Sequence, residues 1–286
     1  MAKILDGKAI AAQIRSEVAA GVAALRERGV LVRLDVVLVG EDPASATYVR
    51  MKQKDCAEVG IESKAHRFPE SVSQEELATL VERLNAEAAV SGFFIQLPLP
   101  AGLDPLPLIS GIDPAKDVDG LSPSSVGRLA VGLPSLLPCT PHGVIQMLQR
   151  SGIEPAGKEA VVIGRSNLVG KPLAQLLLRE NATVTVCHSR TNDLAEVARR
   201  AEILIVAAGR REMLGAEYVR EGAVVVDVGI HRRDEGGLVG DVRFDEAEPK
   251  ASWITPVPGG VGPMTRAMLL YNAVRAAQSG GDGETG

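Results

Sequence analysis

The chain has 286 residues, enough for two domains that each bury a core of their own. Its 31 Lys plus Arg against 36 Asp plus Glu leave a formal charge of −5, too mildly acidic for a nucleic-acid or anionic-membrane surface, so a small ligand is the expected partner. With 45% hydrophobic but only 3% aromatic residues, the cores must be built from Val, Leu, Ile and Ala, as in α/β proteins with buried parallel strands.

The start, MAKILDGKAIAAQIR, has early charges and no apolar run of signal-peptide type. Nowhere do about 18 apolar residues follow one another, so neither export nor a membrane span is expected. From Gly7 to Arg28 the apolar residues Ile10, Ile14, Val18, Val22 and Leu25 recur at helical spacing, and Gly29 marks a stop. Leu34 to Val39 reads as a strand. Asp42-Pro43 then supplies an N-cap and a first-turn proline for a helix from Pro43 to about Glu58. A strand is expected over Ile61 to Phe68, a capping box at Ser73-x-x-Glu76 opens the next helix, and Val90 to Gln96 reads as another strand. The stretch from Pro98 to Pro138 is rich in proline, glycine and serine and reads as connections around a cleft.

A second α/β block follows. Helices are predicted over Thr140–Arg150, Gly170–Glu180 and Asp193–Ala201, and strands over Glu159–Ile163, Thr183–Cys187, Ile203–Ala207 and Ala223–Asp227. The runs AVVIG, TVTVC, ILIVA and AVVVDVG are apolar on both faces, as buried central strands of a doubly wound sheet are. After TPVPGGVGP a last helix is predicted over Met264 to Ala277, and SGGDGETG has the composition of disorder.

Several segments bear on chemistry. In AVVIGRSNLVGKPLAQLLL, Gly164 and Gly170 flank a strand-to-helix turn whose backbone N–H groups suit a dinucleotide pyrophosphate; Ser166 stands at the second glycine of G-x-G-x-x-G, so the match is partial. A plain tight turn is the alternative. The next strand ends in Cys187-His188-Ser189-Arg190 with no acid to take a ribose 2′-hydroxyl. Ser189, Arg190 and Arg165 instead suit a 2′-phosphate, which points to NADP; for Arg190 a solvated loop with ordinary charges is the alternative. Ser45, Tyr48 and Lys52 share one helical face, an arrangement equally typical of an amphipathic surface. Gln96 follows an apolar strand, and Asp117 and Asp119 lie in the turn KDVDGL, where Asp117 is able to cap the turn. Cys56, Cys139 and Cys187 form no CxxC pair, and the four histidines lack metal-ligand spacing, so no metal is expected and the thiols fit a reducing cytosol.

The segments SATYVRMKQKDCAEVGI, GFFIQLPLP, DPAKDVDG, LPCTPHGV, VVIGRSNLVGKP, TVTVCHSRT, VDVGI, VGDV and TPVPGGVGPMT occur in this order over nearly the whole chain. Together they resemble the bifunctional methylenetetrahydrofolate dehydrogenase/cyclohydrolase family. The resemblance implies an NADP-dependent enzyme of one-carbon metabolism and purine biosynthesis. It would oxidise 5,10-methylenetetrahydrofolate and hydrolyse the methenyl product to 10-formyltetrahydrofolate. By the same resemblance Lys52 matches the catalytic lysine, Tyr48 the tyrosine that stacks on folate, Gln96 the glutamine beside the lysine, and Asp119 the aspartate that binds the pterin. Gly164, Arg165, Ser166, Ser189 and Ile230 match cofactor-contacting positions, with Arg190 adjoining them, while Gly259 and Gly260 fall in a loop closing the cleft.

The expected architecture is two α/β domains flanking a cleft. The first is a folate-binding domain over residues 1–139, completed by a C-terminal helix at 263–278. The second is a Rossmann-like NADP-binding domain over 140–262, followed by a disordered tail at 279–286. The resemblance also implies a cytoplasmic homodimer that binds tetrahydrofolate derivatives. Two rivals remain at this point: an NADP-dependent dehydrogenase of another small substrate, which leaves YVRMK and QLPLP unexplained, and a non-catalytic NADP-responsive binding protein.

Overall fold

The computed structural model describes residues 1–281. In chain order its first elements are β1 (Lys3–Ile4), α1 (Gly7–Glu27), β2 (Arg33–Val39), α2 (Pro43–Val59), β3 (Glu62–Phe68), α3 (Gln74–Ala86) and β4 (Gly92–Ile95). Then come α4 (Pro105–Ser110), α5 (Pro123–Ala130), α6 (Cys139–Arg150), β5 (Glu159–Ile163), α7 (Gly170–Arg179), β6 (Thr183–Cys187), α8 (Leu194–Ala198) and β7 (Ile203–Val206). The chain continues through β8 (Val224–Asp227), β9 (His231–Arg232), β10 (Leu238–Val239), α9 (Phe244–Ala247), β11 (Trp253–Ile254) and α10 (Val261–Gly281).

The chain divides into two compact units, one of Gln13–Cys139 with the chain from Arg266 onward, the other of Met1–Ala12 with Thr140–Thr265. In the first, three parallel strands stand in the order β3-β2-β4. The chain crosses from β2 to β3 on one side and then from β3 back past β2 to β4 on the other, so the carboxyl ends of β2 and β4 form a topological switch point, where such sheets hold ligands. The capping reading holds here: Asp42 accepts the Ser45 amide at 2.7 Å ahead of α2, and Ser73 with Glu76 forms the reciprocal box of α3. One face of this sheet is buried against α3 through Val37, Val39, Leu77, Leu80, Leu84, Phe93 and Ile95. Each such side chain contributes roughly 1.5–3 kcal/mol on burial.

The second unit holds a six-stranded sheet of order β1-β11-β8-β7-β5-β6, with every pairing parallel. Its switch point lies between β5 and β7. The Val and Ile residues of β5, β7 and β8 are buried throughout, as expected for central strands.

TVTVC departs from the expected central placement. It forms the edge strand β6, and Val186 is 40% exposed, because a run apolar on both faces does not reveal whether a strand is bordered on both sides. The stretch 98–138 is also not all connection: Asp104 and Ser122 cap the short helices α4 and α5, each with a first-turn proline. At the N-terminus, β1 pairs with β11, which joins the first twelve residues to the six-stranded unit instead of the domain expected over 1–139. At the other end α10 continues to Gly281, beyond the expected limit of 278. Residues 282–286 of the expected tail lie outside the described residues. No described helix is long and apolar enough to cross a membrane.

Candidate active site and cofactor pocket

In the three-stranded unit the residues predicted from α2, β4 and the 117–119 turn come together. The capped start of α2 sets its first turn, and Tyr48 and Lys52 follow at a spacing of one helical turn. Tyr48 presents an exposed ring, and Lys52 is partly buried. Gln96 directly follows β4, its amide N–H bonded to the Val37 carbonyl at 2.9 Å, so it stands at the switch point. The Lys52 Nζ donates to Gln96 Oε1 at 3.2 Å and lies 3.9 Å from the Phe94 ring centroid. Gln96 Nε2 donates to its neighbour's carbonyl, Leu97, at 2.7 Å, so both ends of the amide are engaged and its oxygen is held toward the lysine.

Asp119 completes this cluster. Desolvation by the surrounding protein pushes its carboxyl above the ordinary carboxylate value; the Lys52 charge pulls it back, and Asp117 adds to the rise. The turn is built by Asp117, fully buried, whose carboxylate accepts the amides of Gly120, Leu121 and Ser122 at 3.1, 3.3 and 2.8 Å. Its expected role as a turn cap is therefore what the structure shows. Residue patterns missed Phe94, Cys139 and Asn272. The Cys139 Sγ donates to the Val118 carbonyl at 3.3 Å, and Asn272 of α10 reaches the same carbonyl. For Asn272 no local signal existed, since its partners lie more than a hundred positions away.

In the six-stranded unit Gly164 follows β5 with φ of +131°. A Cβ there would overlap the Ala207 carbonyl, and one at Gly170 would overlap the Gly164 carbonyl, so both glycines permit a close strand-to-helix approach. Ser166 Oγ accepts the Val169 and Gly170 amides at 3.1 and 3.4 Å, which leaves its own O–H to donate outward. A cavity of about 300 Å³ at the switch point is walled by Gly164, Arg165, Ser166, His188 and Ser189 on one side and Ala207, Ala208 and Arg210 on the other. It gathers four of the expected cofactor residues. Arg190 and Ile230 are not in its wall: Arg190 donates its amide to His188 Nδ1 at 3.1 Å, and Ile230 is 47% exposed beyond β8. Arg210, which residue spacing missed, was legible as the first charged residue after the strand that borders β5.

The wall of this cavity contains two guanidinium groups, two serine hydroxyls and no carboxylate among the described residues. That donor set fits an adenosine ribose carrying a 2′-phosphate, and the glycine turn at the start of α7 fits a pyrophosphate. Gly259 and Gly260 lie between β11 and α10, where the Gly259 carbonyl accepts the Lys8 amide at 3.1 Å and a Cβ at Gly7 would overlap the Gly260 carbonyl.

Two family models cover nearly the whole chain. Residues 5–119 match the tetrahydrofolate dehydrogenase/cyclohydrolase catalytic domain, and residues 138–280 match the NAD(P)-binding domain of the same family. The chain belongs to the tetrahydrofolate dehydrogenase/cyclohydrolase family. It is 74% identical over 278 residues to the bifunctional protein FolD 1 of Rubrobacter xylanophilus, covering 97% of this chain and 98% of that one. Its fold matches the crystal structure of the bifunctional FolD enzyme from Campylobacter jejuni with a TM-score of 0.96 at 47% identity, covering 98% and 99% of the two chains. The FolD of Trypanosoma brucei, whose structure contains NADP and an inhibitor, matches with a TM-score of 0.93 at 40% identity, over 98% of this chain and 99% of that one. As a member of this family the chain is a bifunctional methylenetetrahydrofolate dehydrogenase and methenyltetrahydrofolate cyclohydrolase, with NADP as its cofactor.

Proposed function

We propose that Lys52, Tyr48, Gln96 and Asp119 bind the folate and carry its chemistry, while Gly164, Arg165, Ser166 and Ser189 hold NADP. The contact between Lys52 Nζ and Gln96 Oε1 carries this reading, because it fixes a proton-transferring atom at the switch point of the sheet. Asp119 accepts the amino and ring N–H groups of the pterin, and Tyr48 stacks on the fused ring. Gly259 and Gly260 are assigned to the substrate loop, and Ile230 and Arg190 to outer cofactor contacts.

The bound NADP supplies the hydride acceptor. In the oxidation the carbon that loses hydride is flanked by two nitrogens, which stabilise the resulting cation, so the protein's task is alignment. Hydrolysis asks more. Water adds to the methenyl carbon and gives one proton to the unprotonated Lys52 amine; as the bond from that carbon to N5 breaks, Lys52 Nζ returns that proton to N5 and the adduct hydroxyl loses its own to solvent, so the formyl group stays on N10 and one proton is released overall. Gln96 holds Nζ in place during both transfers. The absence of an acid from the cofactor cavity among the described residues, together with Arg165 and Ser189, supports a preference for NADP over NAD. On the family resemblance we also assign the chain to the cytoplasm as a homodimer.

The test is to incubate the purified protein with methylenetetrahydrofolate and either NADP or NAD, following the methenyl and formyl products separately. Both products should form, faster with NADP. A dehydrogenase of another substrate would give neither product, and a binding protein no turnover.

A further inference from the structure

Asp241 is fully buried behind the cofactor cavity, in the motif VGDV that begins at the last residue of β10. Its Oδ2 accepts the backbone amides of Ala208 and Gly209 at 2.6 and 2.9 Å, and its Oδ1 accepts the amide of Arg210 at 2.8 Å and meets His231 Nε2 at 2.7 Å. One carboxylate thus takes three consecutive backbone donors from the loop that leaves β7. Ala208 and Arg210 of that loop form the wall of the cavity opposite Arg165 and Ser189. Asp241 is itself anchored from behind. Its amide donates to Asp227 Oδ1 at 3.0 Å, and Asp227, at the end of β8, also accepts the amides of Gly229 and Val242 at 2.9 Å each. A Cβ at Gly229 or Gly240 would strike one of these two carboxylates, so the backbone is closed tightly around them.

We propose that Asp241 is the positioning residue of the cofactor site, setting the 208–210 loop and through it the Arg210 guanidinium for the phosphate-bearing adenosine end of NADP. The proposal rests on the reading of this cavity as the NADP site. Gly209 has a φ of +66°, a left-handed conformation, and among the described residues no strand pairs with residues 208–210. The carboxylate replaces that strand. Its two oxygens satisfy three adjacent N–H groups that would otherwise have to find water or relax outward. A carboxylate is required because only acceptors face the loop. In Asp241→Asn one oxygen becomes an N–H donor. Turned the less costly way, the amide keeps Ala208 and Gly209 and confronts the Arg210 amide with a donor, so the disturbance falls on the residue proposed to meet the cofactor.

The reaction provides its own control, because methenyltetrahydrofolate hydrolysis can be measured with no cofactor present. In Asp241→Asn the KM for NADP should rise about tenfold or more, with kcat at saturating NADP lowered less than about threefold and cofactor-free hydrolysis retained. A KM within about twofold of wild type overturns the proposal, as does an equal loss of both activities in a variant whose circular dichroism shows it folded. If Asp241→Asn does not fold, His231→Ala decides. It keeps all three amide bonds but frees the carboxylate from its fourth contact, and should raise the KM for NADP about threefold; no change overturns the proposal. Arg165→Ala, assayed in parallel, separates the two layers. Should it raise the KM while Asp241→Asn does not, positioning alone is overturned; should neither variant move the KM, the assignment of the cavity falls and the positioning role with it.

Discussion

Asn272 on α10 donates from Nδ2 to the carbonyl of Val118, 154 positions earlier in the chain, at 2.8 Å. The same nitrogen reaches the Leu137 carbonyl at 2.8 Å, so one buried amide ties the residue before Asp119 to the residue two before Cys139. Asn272→Ala should strand the Leu137 carbonyl and leave the Val118 carbonyl with only the weak Cys139 thiol donor, at a cost on the order of 1–3 kcal/mol in stability. Because the turn bearing Asp119 loses its support, the KM for folate in both reactions should rise together. Urea unfolding and the two assays check this. Loss of one activity alone would show that Asn272 acts on that step and not on the shared folate pose.

Lys52→Met keeps most of the apolar stem of the side chain but removes the amine that donates to Gln96 and lies over Phe94. Proton transfer by a positioned amine is worth roughly 10²–10⁴-fold, so methenyl hydrolysis should fall by that amount. Hydride transfer needs alignment, and more of it should survive. Each activity is measured separately, with folate binding as a control. An unimpaired hydrolysis rate removes Lys52 as its catalyst.

Arg165 forms part of the cavity wall with Ser189, and no acid among the described residues joins them there. A charge-assisted contact to a phosphate contributes roughly 1.5–3 kcal/mol, so Arg165→Ala should weaken NADP by about tenfold or more while NAD changes little. Equilibrium titration with both cofactors tests the difference. Equal losses would place Arg165 on a group common to both nucleotides.

Burial pushes the His142 imidazole from its ordinary 6.5 down to about 4, and the Arg179 charge acts in the same direction. The unfolded chain therefore takes up this proton first as the pH falls. The stability due to neutral His142 is complete above about pH 6.5 and is lost on the way down to about pH 4. Asp227 has the opposite sign. Burial lifts it from 3.8 to about 6, against the amide bonds of Val242, Asp241 and Gly229, so the folded state binds that proton first and gains stability as the pH falls through the same range. Each slope reaches about 1.4 kcal/mol per pH unit, and between about pH 4 and 6 the two offset each other. His142→Gln removes one of them. Relative to wild type the variant should gain on the order of 1–3 kcal/mol between pH 6.5 and pH 4, read by urea unfolding at each pH. A constant difference across that range would show that His142 does not titrate with folding.

Local patterns were enough for much of this molecule. The Asp42-Pro43 start of α2 and the Ser73-Glu76 box of α3 are formed by residues within one helical turn, so nothing distant is needed to produce them. The strand-glycine-helix run around Gly164 and the acid-free end of β6 are likewise local, and they suggest the phosphate-binding nucleotide site proposed above. Long motifs in fixed order then carried the family and both reactions.

What tertiary structure decided involves partners far apart along the chain. That TVTVC is an edge strand, that β1 joins the dinucleotide sheet, and that Asn272 holds the carbonyl before Asp119 all depend on which segments meet in space. Hydrophobic periodicity reports that a face is buried and not which element buries it. The same holds for Asp227 and Asp241. Both stood within recognised motifs, VDVGI and VGDV, yet a carboxylate shows its role only once the backbone N–H groups it satisfies have been folded around it.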